Sequence, residues 1–280
     1  MNYRHAYHAG NFADVVKHVV LVAILEHLAR KDTPFFFLDT HSGRGQYPLA
    51  APETQRAGEY RDGIARLIDA TGAPPAAERY LELVRELGVE DGHLCAYPGS
   101  PRIALSVMRG VDRAALCELE PREADALRGL LRRDPRAQVH ERDGYEGLAA
   151  LLPPREKRGL VLIDPPYEAA DEFERLERAL LAALARWAAG TYLVWYPIKA
   201  GGADGRFLAR LAASGVRRQL VAELCIERDD SPAGLNGAGL LIVNPPWQLD
   251  VRLGAALPWL HQRLATTGRG RWRVSWLVPE

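Results

Sequence analysis

Cysteine is scarce in this 280-residue chain, which holds only Cys95, Cys117 and Cys225. Their number is odd, their spacings are wide and no C-x-x-C pair occurs, so neither a disulfide framework nor a thiolate zinc site is expected. Long apolar runs are missing as well. Nothing approaches the roughly 20 residues that a membrane helix needs, and Met1-Asn2-Tyr3-Arg4-His5 lacks the apolar stretch of a secretory signal. A cytoplasmic chain with no membrane partner is the expectation. Net charge is absent too, since 36 Lys+Arg meet 36 Asp+Glu. No global positive field announces nucleic acid, which counts mildly against such a partner. The balance is uneven, however: residues 51 to 95 carry 5 Arg against 9 acids, and residues 169 to 280 carry 14 cations against 11 acids. A local basic surface therefore stays open. Of the 36 cations 32 are Arg, which suits phosphate forks but equally reflects base composition.

What is present is a core. With 48% hydrophobic residues the chain can bury one large domain, read here as a monomer spanning 1 to 280. A helix opens near Asn11 or Asp14 with apolar residues in the 3.6-residue rhythm to Leu28, and stops before Asp32-Thr33-Pro34. Short apolar runs then read as buried strands: 35–40, 114–119, 138–142, 160–164, 191–196, 219–227, 240–244 and 273–278. Helical patterns lie between several of them, at 121–133, 172–189 and 204–214. Such alternation predicts an α/β fold with a mostly parallel, doubly wound sheet covered on both faces. Residues 49–95 break the rhythm. There 58–71 and 76–87 look helical and amphipathic, with no strand between them, so the segment reads as an inserted helical subdomain after the first strand.

The chemistry sits at strand ends. Asp39-Thr40-His41-Ser42-Gly43-Arg44-Gly45 leaves the first strand in a glycine turn that lets backbone pass close to a ligand. A nicotinamide-dependent dehydrogenase would want G-x-G-x-x-G, and Pro48 sits where its helix should continue. Glu118 and Asp143 end the second and third strands, placed to accept ribose hydroxyls and an adenine amine, with Glu120 a rival for the ribose. The fourth strand delivers Asp164-Pro165-Pro166-Tyr167. A planar aromatic amine would stack on Tyr167 and donate its two N–H groups to Asp164 and the Pro165 carbonyl, turning its lone pair outward for attack on an electrophile. Asn244-Pro245-Pro246-Trp247 matches the same pattern. It ends a late strand, away from the switch point where such sheets bind ligands, so Asp164 is the expected catalytic residue.

Five of the eight histidines fall in the first 41 residues: His5, His8, His18, His27 and His41. No carboxylate or cysteine accompanies them at ligand spacing, so a metal is not expected. The aromatic and basic stretch from Tyr3 and Arg4 to Phe12 reads instead as a contact surface for bases and phosphates. It has no aliphatic anchor larger than alanine, and as a tail it is expected to be mobile until cofactor and base order it as a lid. Lys17 and His18, just inside the helix, are placed to meet a ligand carboxylate.

The Asp164–Tyr167 segment resembles the [D/N]-P-P-[Y/F/W] signature of class I S-adenosylmethionine-dependent methyltransferases that modify exocyclic amines. The resemblance tightens over nearly the whole chain. The opening Tyr3-Arg4-His5-Ala6-Tyr7-His8-Ala9-Gly10-Asn11-Phe12, Leu38 to Gly45, Tyr97-Pro98-Gly99-Ser100-Pro101, Ile163 to Tyr167 and the closing Val274 to Glu280 are similar to the RlmJ family of bacterial 23S ribosomal RNA adenine-N6 methyltransferases. Ser42 departs from it, standing where a small residue such as alanine is expected. The resemblance implies a Rossmann-like fold, cofactor contacts at His18, His41, Ser100, Glu118, Asp143 and Gly144, catalysis at Asp164 and an RNA contact at Tyr3. With the residue-level readings, Lys17, Asp39 and Asp164 join the cofactor set, Pro165 and Tyr167 the catalytic one, and Arg4 and Tyr167 the RNA one. A DNA adenine methyltransferase and a non-enzymatic RNA-binding protein are the alternatives; a chain with no separate target-recognition region and an acidic insertion favours structured RNA read partly by shape.

Overall fold

The computed structural model describes residues 5–232 and 234–280. In chain order the strands are β1 (Phe36–Asp39), β2 (Gln46–Pro48), β3 (Val89–Glu90), β4 (His93–Leu94), β5 (Ala96–Pro98), β6 (Arg113–Glu118), β7 (Ala137–Glu141), β8 (Gly159–Ile163), β9 (Thr191–Ile198), β10 (Gln219–Cys225), β11 (Gly237–Val243) and β12 (Arg271–Val278). The helices are α1 (Phe12–Ala29), α2 (Pro52–Ala57), α3 (Pro75–Gly88), α4 (Ser100–Val107), α5 (Pro121–Leu131), α6 (Gly144–Leu151), α7 (Glu172–Arg186), α8 (Ala203–Ala213) and α9 (Leu249–Leu264).

Eight strands form one sheet in the order β12-β10-β11-β9-β8-β1-β6-β7. β7, β6, β1, β8 and β9 are mutually parallel, and β11, β10 and β12 are added by antiparallel pairing. The order reverses at β1, flanked by β6 on one side and β8 on the other, so the ends of these strands open onto a crevice. This is the mostly parallel α/β sheet that the alternating pattern predicts and the Rossmann-like fold that the resemblance implies.

The first helix is apolar on all its faces rather than along one stripe, because it is covered on all sides. Residues Phe12 to Leu25 are buried, packed with α3, α4 and α9 on one face of the sheet. Asn11 caps it by accepting the Asp14 N–H at 2.9 Å. The second face carries α7, α8 and the apolar side of α6 around Phe36, Leu38, Val161 and Ile163.

Residues 49–95 leave through β2 and return through β5, which pair antiparallel and close the base of the insertion. Its apolar residues Ile64, Tyr80, Leu81 and Val84 join the core of α1. The helix expected over 58–71 is instead two short 3-10 turns, Glu59–Arg61 and Ile64–Arg66. The chain turns left-handed at Gly58, and a side chain at Gly63 would strike the Gly10 carbonyl at 2.0 Å, so the segment is folded tightly against the N-terminus.

Candidate active site

A cavity of about 1150 Å³ lies over the C-terminal ends of β1, β6 and β8. Asp164 follows β8 directly, and its Oδ2 is 2.5 Å from Nζ of Lys17 on α1. The same ammonium is 2.8 Å from Oδ1 of Asp14, whose Oδ2 accepts from the Gly10 N–H and lies 3.1 Å from His5 Nε2. Burial alone would lower the Lys17 pKa, but Asp14 and Asp164 outweigh it and raise it. Asp14 stays well below the usual carboxylate range: burial would raise it, and the charges of His5 and Lys17 overcome that. Asp164 lines the cavity, and its Oδ1 has no partner among the described residues.

Beside this carboxylate, Tyr167 takes a left-handed backbone conformation with φ of 51°, a strained state for a non-glycine residue. Its hydroxyl donates to the Trp195 carbonyl at 2.7 Å, and its ring packs on Phe173 and Trp195. The ring is thereby fixed as a wall of the cavity.

The glycine turn and the acidic strand ends converge on the other side. Glu118 accepts from the backbone N–H groups of Gly43 and Glu120, both at 2.8 Å, and burial raises its pKa. Leu119 next to it is an apolar side chain left 49% exposed at the cavity. Asp143 caps α6 through the N–H groups of Tyr145 and Glu146, with Arg175 3.7 Å from its second oxygen. Glycine is required at 144, where a Cβ would sit 2.3 Å from the Thr40 carbonyl, and its absence lets α6 close on the end of β1. His41, whose pKa burial pushes down to about 4, sits edge-on to Tyr145.

Several buried polar atoms among the described residues lack a partner, and of these His18 is the one that lines the cavity. Its Nδ1 is 2.7 Å from the Tyr97 hydroxyl, whereas its Nε2 is buried with no partner. Burial, then the Lys17 charge, lowers its pKa well below the ordinary histidine value, so the ring is neutral. A neutral ring nitrogen lining the cavity, a hydroxyl at Ser100 and a carboxylate beside an exposed Leu119 form a donor set that fits a nucleoside joined to an amino acid.

Residues 32–278 match the family model described as "Ribosomal RNA large subunit methyltransferase D, RlmJ". The chain is 41% identical over its full length to the full-length Ribosomal RNA large subunit methyltransferase J of Haemophilus influenzae, and equally to that of Escherichia coli. The crystal structure of a Legionella pneumophila protein superposes with a TM-score of 0.89 at 35% identity, over 96% of this chain and 98% of that one. The chain belongs to the RlmJ family. It is a ribosomal RNA large subunit methyltransferase.

Within this RlmJ-family fold the cavity brings together Lys17, His18, His41, Ser100, Glu118, Asp143, Gly144, Asp164, Pro165 and Tyr167. Tyr3 and Arg4, expected at the RNA, lie outside the described residues. Asp39 does not line the cavity: it is fully buried, and its oxygens accept from the Ser100 hydroxyl at 2.6 Å and the His41 N–H at 3.3 Å. It bonds to two cavity residues. Lys17 lines the cavity with its ammonium between Asp14 and Asp164. Glu120, the rival for the ribose, caps α5 by accepting the Glu123 N–H at 2.9 Å. Ser42 donates its hydroxyl to the Asp39 carbonyl.

The second Asn-Pro-Pro-Trp segment is structural. β11 runs antiparallel to β9, so Asn244 emerges at the start of β9, the edge opposite the cavity. There its amide donates to the Ala188 and Gly190 carbonyls, both at 2.8 Å, and its own carbonyl accepts from Thr191. No dinucleotide loop forms either, because Gln46–Pro48 is a strand and no helix follows the glycine turn. The residues 5–11 expected as a free tail are packed. His5–Tyr7 is a 3-10 turn, His8 and Asn11 bond to the two oxygens of Glu59 at 2.9 Å each, and Ala9, Gly10 and Asn11 are buried. Sequence reading missed this because the anchors, Glu59 and Asp14, are polar and one of them is 48 residues from Asn11. It missed Leu119 too, although an apolar residue between two glutamates was a readable sign of a ligand face.

Proposed function

We propose that this protein transfers the methyl group of S-adenosylmethionine to the exocyclic N6 amine of an adenine in 23S ribosomal RNA, acting as a cytoplasmic monomer. The observation that carries the reading is the Lys17–Asp164 pair at the end of β8, in one cavity with Glu118, Asp143 and the Tyr167 ring. When bound, S-adenosylmethionine supplies an electrophilic methyl group. His18 and Ser100 would hold its amino-acid end, Glu118 its ribose, and Leu119, Asp143 and Gly144 its adenine, with His41 beside them.

The protein's own part is orientation and charge. Lys17 pins Asp164 Oδ2, which leaves Oδ1 to accept one N–H of the substrate amine. The Pro165 carbonyl accepts the other. Two acceptors in fixed directions turn the nitrogen lone pair away from them and draw electron density onto that nitrogen. The positive charge that grows there during attack is met by Asp164, an interaction stronger in the transition state than in the ground state. Asp164 or solvent then takes the proton. Tyr167, locked by Trp195 and Phe173, supplies a flat surface for a base swung out of its helix.

The test is incubation with methyl-labelled cofactor and either 23S RNA or duplex DNA, followed by nucleoside analysis. Label recovered as N6-methyladenosine from RNA, and lost in Asp164→Asn, is expected. Label entering only DNA would refute the RNA substrate.

A further inference from the structure

Tyr80 on α3 and Tyr97 on β5 are both fully buried, with hydroxyl oxygens 3.0 Å apart. The Tyr97 hydroxyl continues to His18 Nδ1 at 2.7 Å, and the two rings are stacked with centroids 5.7 Å apart. The line runs from the insertion to the cavity and ends on the unpartnered His18 Nε2.

Its protons can be arranged in three ways, and the place of the unaccepted proton decides among them: were both neighbours to donate to Tyr97, its own buried proton would be stranded. Among the described residues the Tyr80 hydroxyl has one partner, Tyr97. If His18 donated from Nδ1 to Tyr97 and Tyr97 donated to Tyr80, the Tyr80 proton would be left buried without an acceptor, at the full cost of desolvating a donor. In the opposite arrangement Tyr80 donates to Tyr97, Tyr97 donates to Nδ1, and the one proton left over is moved to the cavity, which His18 lines and Tyr80 does not, where a ligand can accept it. The imidazole proton then sits on Nε2.

We infer that Tyr97, backed by Tyr80, is a positioning residue that fixes His18 as the Nε2–H tautomer, a neutral donor reserved for the carboxylate at the amino-acid end of the cofactor. The inference rests on the S-adenosylmethionine reading. It gives the inserted segment a role in cofactor binding: α3 sets the proton direction of a cavity residue it does not touch through charge. A neutral donor suits this place, since the neighbouring Lys17 already carries the local positive charge between two carboxylates.

Two measurements test it on the full chain. Nitrogen-15 spectra of the free protein are expected to show His18 protonated at Nε2 and bare at Nδ1, with the tautomers mixing in Tyr97→Phe and less so in Tyr80→Phe, where Tyr97 still has only Nδ1 to donate to. Calorimetry with S-adenosylhomocysteine is expected to show an affinity loss of about tenfold in Tyr97→Phe, the scale of one hydrogen bond to a charged group. 5′-Methylthioadenosine, which lacks the amino-acid end, should bind wild type and variant within about twofold. A proton on Nδ1 in the wild type, or an equal loss for both ligands, would overturn the inference. Failure of the wild type to bind either ligand would instead sink the cofactor reading, while the tautomer measurement still decides the proton direction.

Discussion

Nζ of Lys17 lies 2.5 Å from Oδ2 of Asp164, although 147 residues separate the two in sequence. The pair joins a helix entirely inside one layer to the strand end that bears the chemistry, and Asp14 on the same helix fixes the lysine from behind at 2.8 Å. A carboxylate held by one oxygen presents the other in a set direction, which is what an amine acceptor needs.

Lys17→Gln therefore separates orientation from ligand binding. The rate of methyl transfer is expected to fall about 10²- to 10³-fold, the scale of losing a preorganised charge partner at the reacting centre. Affinity for S-adenosylhomocysteine should stay within a few fold, because Lys17 is committed to Asp14 and Asp164. A lowered melting temperature accompanies the change, since Asp14 keeps a buried charge with one partner fewer. Were Lys17 a cofactor ligand instead, affinity and rate would fall together in the titration.

The two Pro-Pro motifs invite a direct comparison. Asp164→Asn is expected to lower methyl transfer about 10²- to 10³-fold, with a smaller loss of stability because the buried Lys17 keeps one anionic partner fewer. Asn244→Ala should do the reverse, leaving turnover intact and costing about 1–3 kcal/mol in denaturant unfolding, because two carbonyls at the foot of β9 lose their donor. Loss of activity without loss of stability in the Asn244 variant would move the catalytic assignment.

How much of this was readable beforehand follows from the kind of signal. Strands buried on both faces announce themselves as short apolar runs, as β1, β8, β10 and β11 do, and the half-exposed edge strands β7 and β12 were locatable too. The order of acidic strand ends then gave Glu118, Asp143 and Asp164 together, since position in a doubly wound sheet is a property of chain order. Direction was not readable for β11: an apolar strand carries no mark of whether it runs parallel, and the opposite placement of Asn244 appears only with its pairing to β9. Side-chain partners across long sequence separations, such as Lys17 with Asp164 or His8 with Glu59, were equally out of reach. Asp39 looked like a ligand acid for the same reason, its fully buried state being invisible until Ser100 and His41 closed over it.

Asp39 also leaves a signature in the pH dependence of stability. Burial raises its folded pKa from 3.8 to about 7, so the folded protein keeps a proton that the unfolded chain releases. The contribution is fully present below about pH 4 and is lost as pH rises to about 7. In Asp39→Asn that titration is gone. Urea midpoints across this window should decline more steeply with pH in the wild type than in the variant. Parallel curves would show that Asp39 does not titrate there.

The last prediction concerns the segment before α1. The Gly10 N–H donates to Asp14 at 3.0 Å, the Asn11 N–H to the His8 carbonyl at 3.0 Å, and Glu59 receives both His8 and Asn11. The hydrogen bond to Glu59 raises the His8 pKa against the opposing effect of burial, which strengthens the pair on mild acidification. Amides within a closed network of this kind exchange only when the network opens. Gly10 and Asn11 are thus expected to be protected from hydrogen exchange in the free protein, with little further gain when S-adenosylhomocysteine and RNA are added. Glu59→Ala should lower that protection locally and leave β1 and β8 unaffected, because the two glutamate oxygens tie the insertion to the N-terminal turn alongside the Thr54 bond to the Ala6 carbonyl and the Ile64 N–H bond to the Gly10 carbonyl. Rapid exchange at Gly10 and Asn11 in the free wild type, slowed only by both ligands together, would restore the picture of a lid that closes over the site.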